Sequence, residues 1–223
     1  MNCFPLARLY RLGATVLLVT LASGCGLLQP ATTPQPALYS LDSPSRTAVP
    51  VVPIVSMVPM VRTAVSILIV NPPRAAAGFD SSRIIYTREP HKLEYFAHSE
   101  WVDPPARMLA PLVVAAIENT GAFRAVIPTP SAATGDLRLD TEIIRLQHEF
   151  GTTPSRVHFT LRAYIVDHAT RRVLAQREFD VAVPATSEDP YGGVVAANRA
   201  VQIVLEDLSA FCATEARIDR VDK

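Results

Sequence analysis

Apolar and polar positions alternate most cleanly over Val157, Phe159, Leu161, Ala163 and Ile165, with His158, Thr160, Arg162 and Tyr164 between them. That period of two is the mark of a strand with one face on a core. Upstream, Leu137, Leu139, Thr141 and Ile143 share one face of a second strand until the adjacent Ile143 and Ile144 break the alternation, which predicts a bulge that re-aims the strand before His148. Val173 to Val183 reads as a third strand, paired with the first across a turn near Ala169 to Arg172. Shorter β-rich runs lie at Leu38 to Asp42, Val65 to Asn71, Arg83 to Tyr86, Leu93 to Ala97 and Phe123 to Ile127. Pro72 and Pro73 stop the Val65 run, and Glu89, Pro90 and His91 predict a hairpin between the two that follow it.

Two segments change period to that of a helix. In the first, Asp103 is the expected N-cap and Pro104 the first helical residue, with Met108, Leu112, Ala115 and Ala116 at helical spacing and Gly121 after the end at Asn119. Pro111 falls inside it and predicts a kink or restart, because its ring removes one backbone hydrogen bond and crowds the preceding turn. The second runs from Pro190 to Phe211, with Val194, Ala197, Val201, Val204, Leu205, Leu208 and Phe211 on one side and Arg199, Gln202, Glu206 and Asp207 off it. Asp189 caps it, and Gly192 and Gly193 allow close packing at its start. The expected fold class is α/β of the α+β kind: one two-layer domain, residues 38–215, with a mainly antiparallel or mixed sheet against two amphipathic helices. Residues 216–223 read as a polar tail.

The N-terminus has a different organisation. Arg8 and Arg11 precede an apolar run from Leu12 to Leu21, and Ala22, Ser23 and Gly24 form a small-residue cleavage site. That is the plan of a signal peptide, residues 1–24. The apolar run is shorter than the roughly 20 residues a transmembrane helix needs. Leu21 to Gly26, Leu-Ala-Ser-Gly-Cys-Gly, resembles the lipobox of bacterial lipoproteins. The resemblance implies that Cys25 is lipidated after cleavage before it, with diacylglycerol on the thiol and an acyl chain such as palmitate on the new amine. In the same sorting pattern the absence of Asp after the cysteine favours the outer membrane. Residues 25–37 are then the lipidated cysteine and a tether rich in Pro, Thr and Gln. Residues 43–62, broken by Pro44, Pro50, Pro53 and Pro59, read as a loop.

Composition narrows the chemistry. Lys+Arg and Asp+Glu each number 21, and no basic run appears, so nucleic-acid binding is not expected. Removing residues 1–24 takes away Arg8 and Arg11 and no acid, giving a mature charge of 0 − 2 = −2, so no basic patch assists the lipid. Of three cysteines, Cys3 leaves with the leader and Cys25 is acylated, which leaves Cys212 for core packing and excludes an internal disulfide. The chain has no Gly-x-Ser-x-Gly, His-Glu-x-x-His, Cys-x-x-Cys or phosphate-loop pattern, and the five histidines are scattered. No catalytic residue, metal ligand or cofactor is assigned. A periplasmic hydrolase is the least favoured function.

Seven segments stand in order over nearly the whole mature chain: Tyr-Ser-Leu-Asp at 39–42, Arg-Ile-Ile-Tyr at 83–86, Leu-Glu-Tyr-Phe-Ala at 93–97, Trp-Val-Asp-Pro-Pro-Ala-Arg-Met-Leu at 101–109, Asp-Leu-Arg-Leu-Asp-Thr-Glu at 136–142, Pro-Ser-Arg-Val at 154–157, and the segment from Ser187 to Ala200 that opens Ser-Glu-Asp-Pro-Tyr-Gly-Gly. Together they resemble the ABC-type transport auxiliary lipoproteins, the PqiC-like group that accompanies MCE-domain transport systems. The resemblance implies a non-enzyme, held on the outer membrane by its lipid and facing the periplasm. It would work with an MCE substrate-binding protein, an ABC permease and its ATPase in phospholipid transport, and a homo-oligomer is compatible with it. The alternative is an envelope scaffold that handles no lipid. Trp101, Asp103, Pro104 and Tyr191 are the candidate partner-binding residues; Trp101 either anchors a partner or covers the core beside the helix start. Of the neighbours Tyr95 and Phe96, only one can face the core.

Overall fold

The computed structural model describes residues 35–42 and 66–221. Cys25, the tether and the Pro-rich segment 43–62 lie outside them. The sheet is organised around its longest strand, β7 (Leu137–Glu149). One edge of β7 pairs antiparallel with β8 (Arg156–Asp167), and β8 pairs antiparallel with β9 (Val173–Pro184). The other edge of β7 takes three short parallel partners in succession: β2 (Ile67–Val70), β3 (Arg74–Ala75) and β4 (Arg83–Thr87). From there β2 pairs in parallel with β6 (Ala125–Pro128), while β4 pairs antiparallel with β5 (Glu94–Trp101), which pairs in parallel with β1 (Ala37–Tyr39). The result is a mixed nine-stranded sheet that does not close.

The bulge in β7 falls where the adjacent isoleucines place it, as a register shift against β8 between Ile143 and Arg145. Its consequence is visible in burial. Leu137, Leu139, Thr141 and Ile143 are buried before the shift, and Leu146 and His148 take over after it. On β8 all five alternating apolar residues are buried, and so are Thr160 and Val166 on the opposite face.

Helix α1 spans Pro105–Glu118 and α2 spans Pro190–Val221. They touch each other, with α2 over β8 and β9 and α1 beside β6. No described helix is long and apolar enough to cross a membrane. The expected face of α2 is buried throughout, and the helix runs past Phe211, with Ala216 still in the core.

The start and face of α1 differ from the sequence expectation. Asp103 is not the cap: Pro104 holds that position with φ −49° and ψ 136° and no side-chain hydrogen bond. A residue before proline is driven to extended backbone, so Pro105 forces Pro104 out of the helix and moves its start by one residue. Asp103 Oδ1 instead accepts from Arg107 Nη1 at 3.3 Å. The buried face is Pro105, Ala106, Leu109, Val113 and Ile117, while Met108, Leu112, Ala115 and Ala116 flank it half-buried. Helix α1 continues through Pro111, which is exposed, so the carbonyl its ring deprives of a donor lies toward water. Gly121, at φ 60°, follows the helix end in the left-handed region that glycine adopts without strain.

Candidate functional site

Three of the family-like segments meet at one place. His148, near the end of β7, faces the first turn of α2, and a Cβ built on Gly193 would lie 2.5 Å from its Nδ1. Trp101, Leu146, His148, Val157, Gly193 and Ala197 surround an interior gap of about 10 Å³ there, barely the space one water needs. Strand β5 delivers Trp101, β8 Val157 and α2 Gly193. His148 is the centre of this convergence, although the scatter of histidines gives it no distinction. The signal that finds it is the alternation after the bulge, which returns Leu146 and His148 to the core face.

Hydrogen bonds tie two of these segments, 154–157 and 187–200, to each other and to β7. His148 Nε2 lies 2.7 Å from Ser155 Oγ, and the Ser155 backbone N–H donates to Glu188 Oε1 at 2.9 Å. Asp189 Oδ1 accepts from the Gly192 N–H at 2.7 Å and from Ser187 Oγ at 2.9 Å, which is the N-cap expected from sequence. The imidazole also lies against Phe150, ring centroids 4.2 Å apart, and Phe150 continues into Phe96 and Tyr86. Phe96 is therefore the inward member of its pair, and Tyr95 is exposed.

A histidine, a serine and an acid in hydrogen-bond sequence invite comparison with an acyl-transfer triad, but the geometry serves another purpose. Ser155 is completely buried, so no substrate carbonyl can reach its Oγ. Glu188 bonds the Ser155 backbone and not the imidazole, whose Nδ1 has no partner and therefore no orienting acid. The cluster fixes the loop between β7 and β8 to the N-terminus of α2.

Burial pushes the His148 pKa below its ordinary value, opposed in part by the Glu188 and Asp189 carboxylates. The Ser155 and Gly192 N–H donors hold those two carboxylates low. The folded state thus binds fewer protons than the unfolded chain once the pH falls below about 6.5, and stability is lost on acidification through that window. The carboxylates add a further loss below their own ordinary values. A melting series from pH 7.5 to 5.5 is expected to fall for the native chain and to be flatter for His148→Gln; parallel slopes would show that His148 does not carry the effect.

The glycines at the helix start make the close approach possible. A Cβ on Gly192 would sit 2.3 Å from the Ser187 carbonyl oxygen and 2.5 Å from the Ser187 nitrogen, both backbone atoms that cannot swing away. Gly192→Ala is expected to destabilise by about 1–3 kcal/mol through overpacking, although alanine favours helix by up to about 1 kcal/mol over glycine. Equilibrium urea unfolding measures it, and a neutral result would mean that the turn at Ser187 yields.

The sequence-marked partner residues separate. Trp101 is 3% exposed and belongs to the core, which removes the indole as an exposed anchor. Its place on the inward face of β5, beside the start of α1, takes the covering alternative. Asp103 and Pro104 are half-buried in the turn that follows, and Tyr191 is 62% exposed at the start of α2. Cys212 is buried, its thiol pushed up to about 12 by burial, as core packing requires.

The family model of the ABC-type transport auxiliary lipoprotein component matches residues 52–209. Among solved structures, protein XCC0632 from Xanthomonas campestris is 25% identical with a TM-score of 0.69, covering 82% of this chain and 98% of its own. An uncharacterized protein is 12% identical with a TM-score of 0.56, covering 81% of this chain and 98% of its own, a likeness of fold alone. No curated protein matches.

Proposed function

From the premise that the chain belongs to the ABC-type transport auxiliary lipoprotein family, we propose that it is a non-catalytic component of an MCE-type ABC system that moves phospholipid or another hydrophobic compound across the cell envelope. It is anchored through Cys25 to the outer membrane and faces the periplasm. Its partners are an MCE-domain substrate-binding protein, the permease and the cytoplasmic ATPase, which supply the energy. The single observation that carries this reading is the match to the family over residues 52–209, in a chain whose Leu21 to Gly26 resembles a lipobox.

The interior supports a role in assembly more than in carrying lipid within the fold. The gap beside His148 is about 10 Å³, against the roughly 300 Å³ or more of a small-ligand pocket. The larger hollows lie on the surface, such as that of about 310 Å³ between α1 and α2 along Leu112, Ala116 and Leu205. This observation also favours the second reading, a scaffold lipoprotein that handles no lipid.

Affinity capture of the lipidated protein from its native envelope, with proteins and lipids identified by mass spectrometry, decides between them. Recovery of an MCE protein with a permease is the expected result. Recovery of other envelope components without a transporter would support the scaffold, and capture of no transporter component at all would refute the transport assignment.

A further inference from the structure

Among the described residues, four of the eight exposed large hydrophobic side chains gather at one corner of the domain. Leu38 is 61% exposed, Tyr191 62%, Val102 58% and Val195 36%. Leu38, Tyr39, Tyr191 and Val195 line a shallow groove of about 520 Å³ between β1 and the first turns of α2. The rings of Tyr39 and Tyr191 stand 6.5 Å apart, and the Val102 N–H donates to the Tyr39 carbonyl at 2.8 Å, which sets Val102 beside them. Packing does not require this grouping. Among the described residues β1 is an edge strand, paired with β5, and Tyr191 projects from a helix whose other face already supplies the core.

We propose that this corner seats on the surface of a lipid bilayer, with Leu38, Tyr191 and Val195 entering the headgroup region. The proposal rests on the reading that Cys25 is the anchor. Chain length then selects the occupant. Ala37, the first residue of β1, lies twelve positions after Cys25, a reach of at most about 40 Å even when fully extended. The anchor thus delivers this corner, before any other part of the described domain, to the membrane, at the high effective concentration of a short tether. Its chemistry suits the interface: tyrosines combine an apolar ring with a polar tip, and leucine and valine supply the buried area. The charges at the groove, Asp42 and Arg199, are opposite in sign, with Asp189 beside Tyr191, so attraction to anionic lipid is not the source of binding. The corner marked by Tyr191 for a protein partner is thereby assigned to lipid.

The test uses the lipidated mature protein reconstituted in phosphatidylcholine vesicles, with a polarity-sensitive dye on Tyr191→Cys or, as the control on β9, Val173→Cys. Both positions are exposed, so neither label disturbs the core, and the native thiols stay silent because Cys212 is buried and Cys25 acylated. Brominated acyl chains are expected to quench the Tyr191 reporter several-fold more than the Val173 reporter, with a blue-shifted emission that high salt leaves unchanged. Protein that floats with the vesicles but shows equal quenching at both sites overturns the seat while leaving the anchor intact. The same holds if the Tyr191 reporter is unquenched and becomes shielded only with a second copy or an added MCE protein, which would make the corner a protein interface. Protein that fails to float overturns the anchor and the seat together.

Discussion

Cys25→Ala, expressed behind an ordinary secretory leader so that no apolar segment stays attached, is expected to move the protein from the membrane fraction to the soluble periplasmic fraction. Each buried CH₂ of an acyl chain contributes about 0.8 kcal/mol, and one myristoyl chain alone gives an association constant of about 10⁴ M⁻¹. A cysteine bearing several chains exceeds that by orders of magnitude, so losing it abolishes stable attachment. Among the described residues no helix is long and apolar enough to cross a membrane. The corner at Leu38 and Tyr191 would leave at most weak, reversible association. Fractionation with immunoblotting reads the result; a variant that remains in the membrane pellet would show that the anchor lies elsewhere.

Phe159→Ala is expected to have the largest effect on stability. The side chain is completely buried on β8, opposite Leu146 of β7 and Val181 of β9, so its loss opens a cavity at the middle of the sheet. Truncating a buried phenylalanine costs about 3–5 kcal/mol, because transfer free energy is lost and the neighbours only partly collapse. At about 2–4 °C per kcal/mol for a chain of this size, melting should fall by roughly 6–20 °C. Leu174→Ala, at a position 48% exposed on β9, is the control and should stay within about 0.5 kcal/mol. Calorimetry on both variants checks the pair, and a fall in the Phe159 variant no larger than the control's would contradict the placement of β8 at the core.

The contrast between α1 and α2 shows where periodicity suffices. On α2 the apolar stripe is continuous and its cap, Asp189, has no competing residue, so face and start are both legible. On α1 nearly every position is apolar, and the stripe through Met108 and Leu112 is as regular in sequence as the buried one through Leu109 and Val113. Only packing against β6 and α2 distinguishes them. The two-residue strand β3 escapes periodicity for a related reason: two residues have no period, and β3 exists because Arg74 and Ala75 lie beside the β7 bulge.

The candidate site divides the same way. Chain order alone determines the alternation of β7 and β8, the bulge and the cap of α2, because each depends on neighbours within a few residues. Tertiary structure decides what those elements enclose. It buries Trp101, which sequence left balanced between core and partner, and it makes His148 the meeting point of Ser155, Gly193 and Phe150. It also gathers Leu38, Val102, Tyr191 and Val195 at one corner from three distant stretches of chain. The physical reason is that a residue's period fixes which way it points on its own element, whereas what it meets there depends on the pairing of strands far apart in sequence, such as β1 with β5 and β4 with β7.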